Sequence, residues 1–158
     1  MKIITHKDMA ALKTKAGESS RKRMNLNVHE QASDPIQRLF IAADRTSYFR
    51  AHRHNHSWEF ALVLQGLFDV LVFDDTGQLT ERISLGPQAR VAAFEIPAGT
   101  WHAWIPHEDG SVFFECKQGP YNPDTAAEFA PWSPEEGSSE VTDFVQRLKT
   151  LAVGDMAS

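Results

Sequence analysis

His52-Arg53-His54-Asn55-His56-Ser57-Trp58-Glu59, with Gly66 beyond it, is the stretch on which the reading of this chain turns. Side chains two apart in an extended strand project from one face, so His52 and His54 point together. The polar bend from Asn55 to Ser57 lets Glu59 return on the next strand. Later, Pro97-Ala98-Gly99-Thr100-Trp101-His102 forms a turn that delivers one more imidazole at the head of a strand. Three neutral imidazoles and one carboxylate make a mixed ligand set for one divalent transition metal: Fe, Mn, Ni or Zn. Such a set leaves coordination positions open for water, dioxygen or substrate. In a chain with seven histidines, a His-x-His pair arises easily by chance. The pair, the spaced glutamate, the glycine and the later Pro-x-Gly-x-x-His together single out a site.

Around this stretch, from Ile36 to Lys117, short apolar runs are broken by Gly, Pro, Asn and Asp. Strands are expected at Gln37–Ala42, Ser47–His54, Phe60–Gln65, Leu67–Phe73, Leu79–Leu85, Arg90–Ile96, Trp101–Ile105 and Val112–Lys117. Asp74-Asp75-Thr76-Gly77 is a hairpin turn. Strands this short and evenly spaced predict an all-β sandwich or barrel. Before them, Thr5 to Ala16 reads as a helix with a Thr5/Asp8 capping box and Gly17 as its stop. After them, a Pro- and aromatic-rich arm leads to a helix over Ser139–Val153, striped by Val141, Phe144, Val145, Leu148 and Leu151. The expected plan is one domain over 1–158: helix and arm at 1–30, barrel at 36–118, arm and helix at 119–158.

A net charge of -5 argues against a broad nucleic-acid surface. No apolar run is long enough to span a membrane. Met1-Lys2-Ile3-Ile4 passes straight into Thr5-His6-Lys7-Asp8, which is no secretory core, and the single Cys116 has no internal disulfide partner. A cytoplasmic protein is expected.

His52-x-His54-x4-Glu59-x6-Gly66 resembles the first cupin motif, and Pro97-x-Gly99-x-x-His102 resembles the second. Thr46 and Val91 stand where those motifs carry glycine, and Pro106 where the second carries asparagine. The resemblance implies a cupin double-stranded β-helix, a jelly-roll barrel, with His52, His54, Glu59 and His102 as metal ligands. From about Lys22 to Glu136 the chain also resembles the WbuC family of cupin metalloproteins. Arg21-Lys22-Arg23-x-Asn25-x-Asn27-x-His29, Phe113-Phe114-Glu115-x-Lys117-x-Gly119-Pro120-Tyr121 and Phe129-Ala130-Pro131-Trp132 carry that likeness. It implies a bacterial setting among lipopolysaccharide O-antigen genes, hence a sugar or sugar-nucleotide context. Cupin dimers imply a homodimer as a further expectation.

Parity extends the site. Tyr48 and Arg50 share it with His52 and His54, so Arg50 reads either as a clamp for a ligand anion or as a partner of Asp69 or Glu115. Trp104 shares it with His102 and is either a stacking platform or core. Glu115 and Lys117 lie opposite Cys116 and can move protons if their face is inward. Arg21, Lys22 and Arg23 either fold over the barrel mouth or stay solvated, and Asn25, Asn27 and His29 alternate as an edge strand with its polar groups turned one way would. Two functions compete: a metal-dependent isomerase, epimerase or oxygenase acting on a small polar, anionic or sugar-like molecule, and a non-catalytic metal-dependent module that binds one.

Overall fold

A computed structural model describes residues 1–158. Helix α1 (His6–Glu18) starts at the expected capping box. The Thr5 amide donates to Asp8 Oδ2 (2.7 Å), and the Asp8 amide donates to Thr5 Oγ1 (3.3 Å). The helix runs one residue past Gly17. Met9, Leu12 and Ala16 bury its inner stripe against Ala42 and Val112.

Ten strands follow: β1 (Arg23–Asn27), β2 (Ile36–Ala43), β3 (His52–Arg53), β4 (Glu59–Gln65), β5 (Phe68–Phe73), β6 (Leu79–Leu85), β7 (Ala93–Ile96), β8 (Trp101–Pro106), β9 (Ser111–Gln118) and β10 (Glu128–Phe129). Helix α2 (Val141–Thr150) is the last element, shorter at both ends than the expected Ser139–Val153. The strands form two antiparallel five-stranded sheets, ordered β1-β2-β9-β4-β7 and β10-β3-β8-β5-β6. Their inner faces share a core of Ala61, Val63, Phe68, Val70, Trp104 and Phe113. This is the expected cupin jelly roll with a helix at each end. The outer face of the second sheet, through Leu71, Phe73, Ala103 and Ile105, is covered by Phe144, Val145 and Leu148 of α2. Alternation along β5 and β8 explains both cores: even positions face in and odd ones face out.

Two features matter for the site, the first a difference from expectation. Ser47–Ala51 is not strand; only His52–Arg53 pairs, with β8 and β10. The polar stretch after α1 contributes a full edge strand, β1, in which Arg23, Asn25 and Asn27 oppose Ala43, Ile41 and Leu39.

Candidate metal centre

His52 lies on β3, His54 just past it, Glu59 at the head of β4 and His102 on β8, directly across from His52. One ligand atom from each of the four lies within 4.8 Å of the others. Two turns hold the group together. The Gly99 amide of the Pro97–His102 turn donates to the His54 carbonyl at 2.8 Å, and Gly99 adopts φ +80°, which glycine tolerates best. Gly66, at φ +75°, lies so near β9 that a Cβ there would come 2.1 Å from Ser111 Oγ.

Each imidazole spends Nδ1 on a backbone carbonyl: His52 on Arg50, His102 on Thr100 (both 2.9 Å) and His54 on Ala126. A carbonyl only accepts, so the proton is assigned to Nδ1 and each Nε2 presents a lone pair. His102 Nε2 and Glu59 Oε1 are buried without a hydrogen-bond partner. His54 Nε2 faces Glu59 Oε2 at 2.9 Å, where a neutral ring so protonated offers the carboxylate only a second lone pair. A shared cation reconciles all three observations, and the donor set fits a first-row divalent ion. Burial, with His102 and His54 as neighbours, pushes His52 well below its ordinary range, and burial lowers His102 as well. Both rings are therefore neutral near pH 7, as ligation requires. Burial works against the Glu59 charge, but its contact with His54 and the nearby Lys117 ammonium hold it well below the usual carboxylate range.

Glu115 and Lys117 project from β9 onto the same inner face. In register, Lys117 opposes Glu59 and Glu115 opposes Ala61. Lys117 Nζ lies 2.7 Å from Glu115 Oε1 and 4.0 Å from Glu59 Oε2. Burial and the Glu59 charge raise the Glu115 carboxyl, while burial is outweighed at Lys117 by both carboxylates, which raise the amine. A cavity of about 730 Å³ opens onto this pair, and a second of about 320 Å³ reaches His54 and Lys117.

The structure places the remaining three predicted residues elsewhere. The Tyr48 hydroxyl donates to the Pro134 carbonyl (2.9 Å) and its ring meets Phe144 edge-on, outside the barrel. Arg50 reaches Ser133 Oγ (3.3 Å) and lies over Phe129, pairing with neither Asp69 nor Glu115. The reason is the irregular Ser47–Ala51 segment, which breaks the alternation so that Phe49 rather than Arg50 enters the barrel core. Trp104 faces inward but is core: it is 2% exposed and stacks on Phe113 at 4.3 Å and 6°. Gln37 was not anticipated. It lies in the Lys117–Glu59 row, is buried, and donates to the Ala32 and Asp34 carbonyls (3.2 and 2.8 Å). Its parity with Leu39 and Ile41 is the sequence signal that could have found it. His56 lines the smaller cavity without joining the cluster.

KdgF from a Halomonas species matches the structure with a TM-score of 0.51 and 22% identity, over 65% of this chain and 82% of that one. An oxalate oxidase in complex with glycolate matches with a TM-score of 0.54 and 13% identity, over 72% and 57%. The capsular polysaccharide assembling protein CapF from Staphylococcus aureus matches with a TM-score of 0.54 and 15% identity, over 67% of this chain and 31% of CapF. At these identities the likeness shows the cupin fold alone. No curated protein matches the sequence. Residues 4–85, just over half of the chain and the part that carries His52, His54 and Glu59, match the family described as a domain of unknown function, DUF6016, and the chain belongs to that family.

Proposed function

We propose that this chain is a metal-dependent enzyme that moves a proton on a small sugar-like molecule, as an isomerase or epimerase does. His52, His54, Glu59 and His102 hold one divalent ion. A bound ion of this kind supplies Lewis acidity to a carbonyl or hydroxyl oxygen of the substrate. The observation that carries the reading is the Glu115–Lys117 pair: buried, 2.7 Å apart, on the cavity wall beside Glu59. A carboxyl held above its ordinary range can take a proton from the carbon beside a carbonyl. It then returns that proton to the neighbouring carbon, completing an isomerisation, whereas an epimerisation takes its new proton from water on the opposite face. Lys117 keeps Glu115 oriented and stabilises its charged form.

The sugar context rests on the WbuC resemblance, with its implied place in bacterial O-antigen assembly. The fold-level likeness to a capsular polysaccharide assembling protein agrees with it. The single Cys116 suits a reducing cytoplasm.

Metal-loaded protein incubated in deuterated water with free and glycosylated aldoses and ketoses tests the proposal by NMR. The expected result is deuterium at a carbon beside the carbonyl, formed without dioxygen. Glu115→Gln should abolish it while metal content stays at about one per chain. Binding without exchange across the panel would make this a binding module, and substrate-dependent oxygen consumption would make it an oxygenase.

A further inference from the structure

The 730 Å³ cavity does not stop at the Glu115–Lys117 pair; it continues to the edge strand β1. Cross-strand registers define its floor. Asn27, Leu39 and Glu115 form one lining row across β1, β2 and β9, and Asn25 and Ile41 stand side by side in the next. Neighbouring strands lie about 4.8 Å apart, so β1 is two steps, roughly 10 Å, from the strand that carries Glu115 and Lys117. One six-membered ring held beside Glu115 does not span that width. A ligand of two linked rings does, and the volume falls within the ordinary range for enclosed ligands of that size.

The chemistry of the far end is specific. Asn25 Nδ2 donates to Asn27 Oδ1 at 2.7 Å, leaving Asn25 Oδ1 as a free acceptor and Asn27 Nδ2 as a free donor on the exposed wall. Between these amides and Glu115 the floor is apolar, formed by Leu39 and Ile41 with Phe49 beside them. Amides flanking an apolar floor complement a pyranose, which has hydroxyls at its rim and C–H groups on its face. The cations of the wall are already matched. Arg21 and Arg23 share Glu136 at 2.8 and 3.0 Å, Arg23 also donates to the Tyr48 carbonyl, and Lys117 holds Glu115. With Glu30, Glu115 and Glu136 set against Arg21, Arg23 and Lys117, the wall carries no net positive charge to hold a diphosphate.

We infer that the substrate is a two-ring glycoside whose second, neutral ring lies on the β1 wall, bound by Asn25 and Asn27. This rests on the metal end being the reacting end. Calorimetric titration of metal-loaded protein with glucose, galactose, maltose, cellobiose, lactose and UDP-glucose tests it, with metal content measured on every sample. At least one disaccharide should bind about tenfold or more tightly than its component monosaccharides and than UDP-glucose. The exposed-site double variant Asn25→Ala, Asn27→Ala should bring that affinity down to the monosaccharide level with metal content unchanged. Tighter binding of UDP-glucose, no disaccharide preferred over its monosaccharides, or an unaffected double variant would overturn the second subsite. Preferential disaccharide binding by metal-free protein would support the subsite while refuting the metal reading, so the two failures are told apart.

Discussion

His52 and His102 are imidazoles whose Nδ1 atoms are committed to backbone carbonyls, so replacing either with alanine removes one metal ligand and leaves an orphaned carbonyl. Metal content is expected to fall from about one equivalent to below about a tenth in either variant, measured by elemental analysis after purification without added metal. His56→Ala, outside the cluster, should keep its metal. Equal losses in all three would show that the ligands are misassigned. Gly66 makes a different demand. Alanine there meets both the positive φ and the Ser111 hydroxyl, so Gly66→Ala should cost at least about 1–2 kcal/mol in urea unfolding. All four clustered residues and both glycines were readable from spacing, because ligand geometry and tight turns leave fixed intervals in the chain. Tyr48 and Arg50 were misread because parity holds only where a ladder keeps the strand extended. Ser47–Ala51 is tied down instead by side chains and by the C-terminal arm, including the Ala130 amide on the Ala51 carbonyl.

Helix α2 is held at its C-terminal end by an ionic latch. Arg82 Nη1 donates to Asp69 Oδ2 (2.6 Å), and Arg82 Nη2 donates to the Leu148 and Leu151 carbonyls (2.6 and 2.9 Å). Ser84 Oγ and His107 Nε2 complete the shell of Asp69 at 2.6 and 3.0 Å. Burial opposes the Asp69 charge, but the Ser84, Arg82 and His107 contacts outweigh it and lower its carboxyl below the ordinary value. A depressed carboxyl contributes stability that is present above the unfolded value, about 3.9, and is lost as pH falls through the folded one. Stability should therefore drop below about pH 4, with α2 amides losing exchange protection before those of β5 and β8. Asp69→Asn should cost about 2 kcal/mol near pH 7 and flatten that acid dependence. An unchanged pH profile would remove the latch from the account. The helix itself was legible in its apolar stripe, but the latch was not. It joins residues more than sixty positions apart, and only the pairing of β5 with β6 sets Asp69 opposite Ser84. β1 was legible in the alternation of Asn25 and Asn27, but its partner was not, since only the fold sets it against β2.

At the scale of the whole molecule, the two sheets are joined unequally. At one end Phe68, Trp104 and Phe113 interlock across the interior. At the other, apolar contact gives way to His52 and His102 from one sheet, Glu59 from the other and His54 in the connection between them. An ion bound by these four would cross-link the sheets where hydrophobic packing is thinnest. Without it, His102 Nε2 and Glu59 Oε1 are buried with no hydrogen-bond partner. Metal that binds the folded chain alone stabilises it by about 2.7 kcal/mol at a free concentration of one hundred times its Kd. For a chain of this size that raises Tm by roughly 5–10 °C. Chelation should therefore lower Tm by that amount, and re-addition of the metal should restore it. Hydrogen exchange should rise on chelation in β3, in the 54–59 bend and in the 97–102 turn. The interior segments of β5 and β9 should stay protected, because their packing does not pass through the site. Uniform loosening of both ends would mean that the four residues are only part of a single cooperative core. A loss confined to the mouth would place the metal as the clasp between the sheets, with metal binding and folding drawing on the same four side chains.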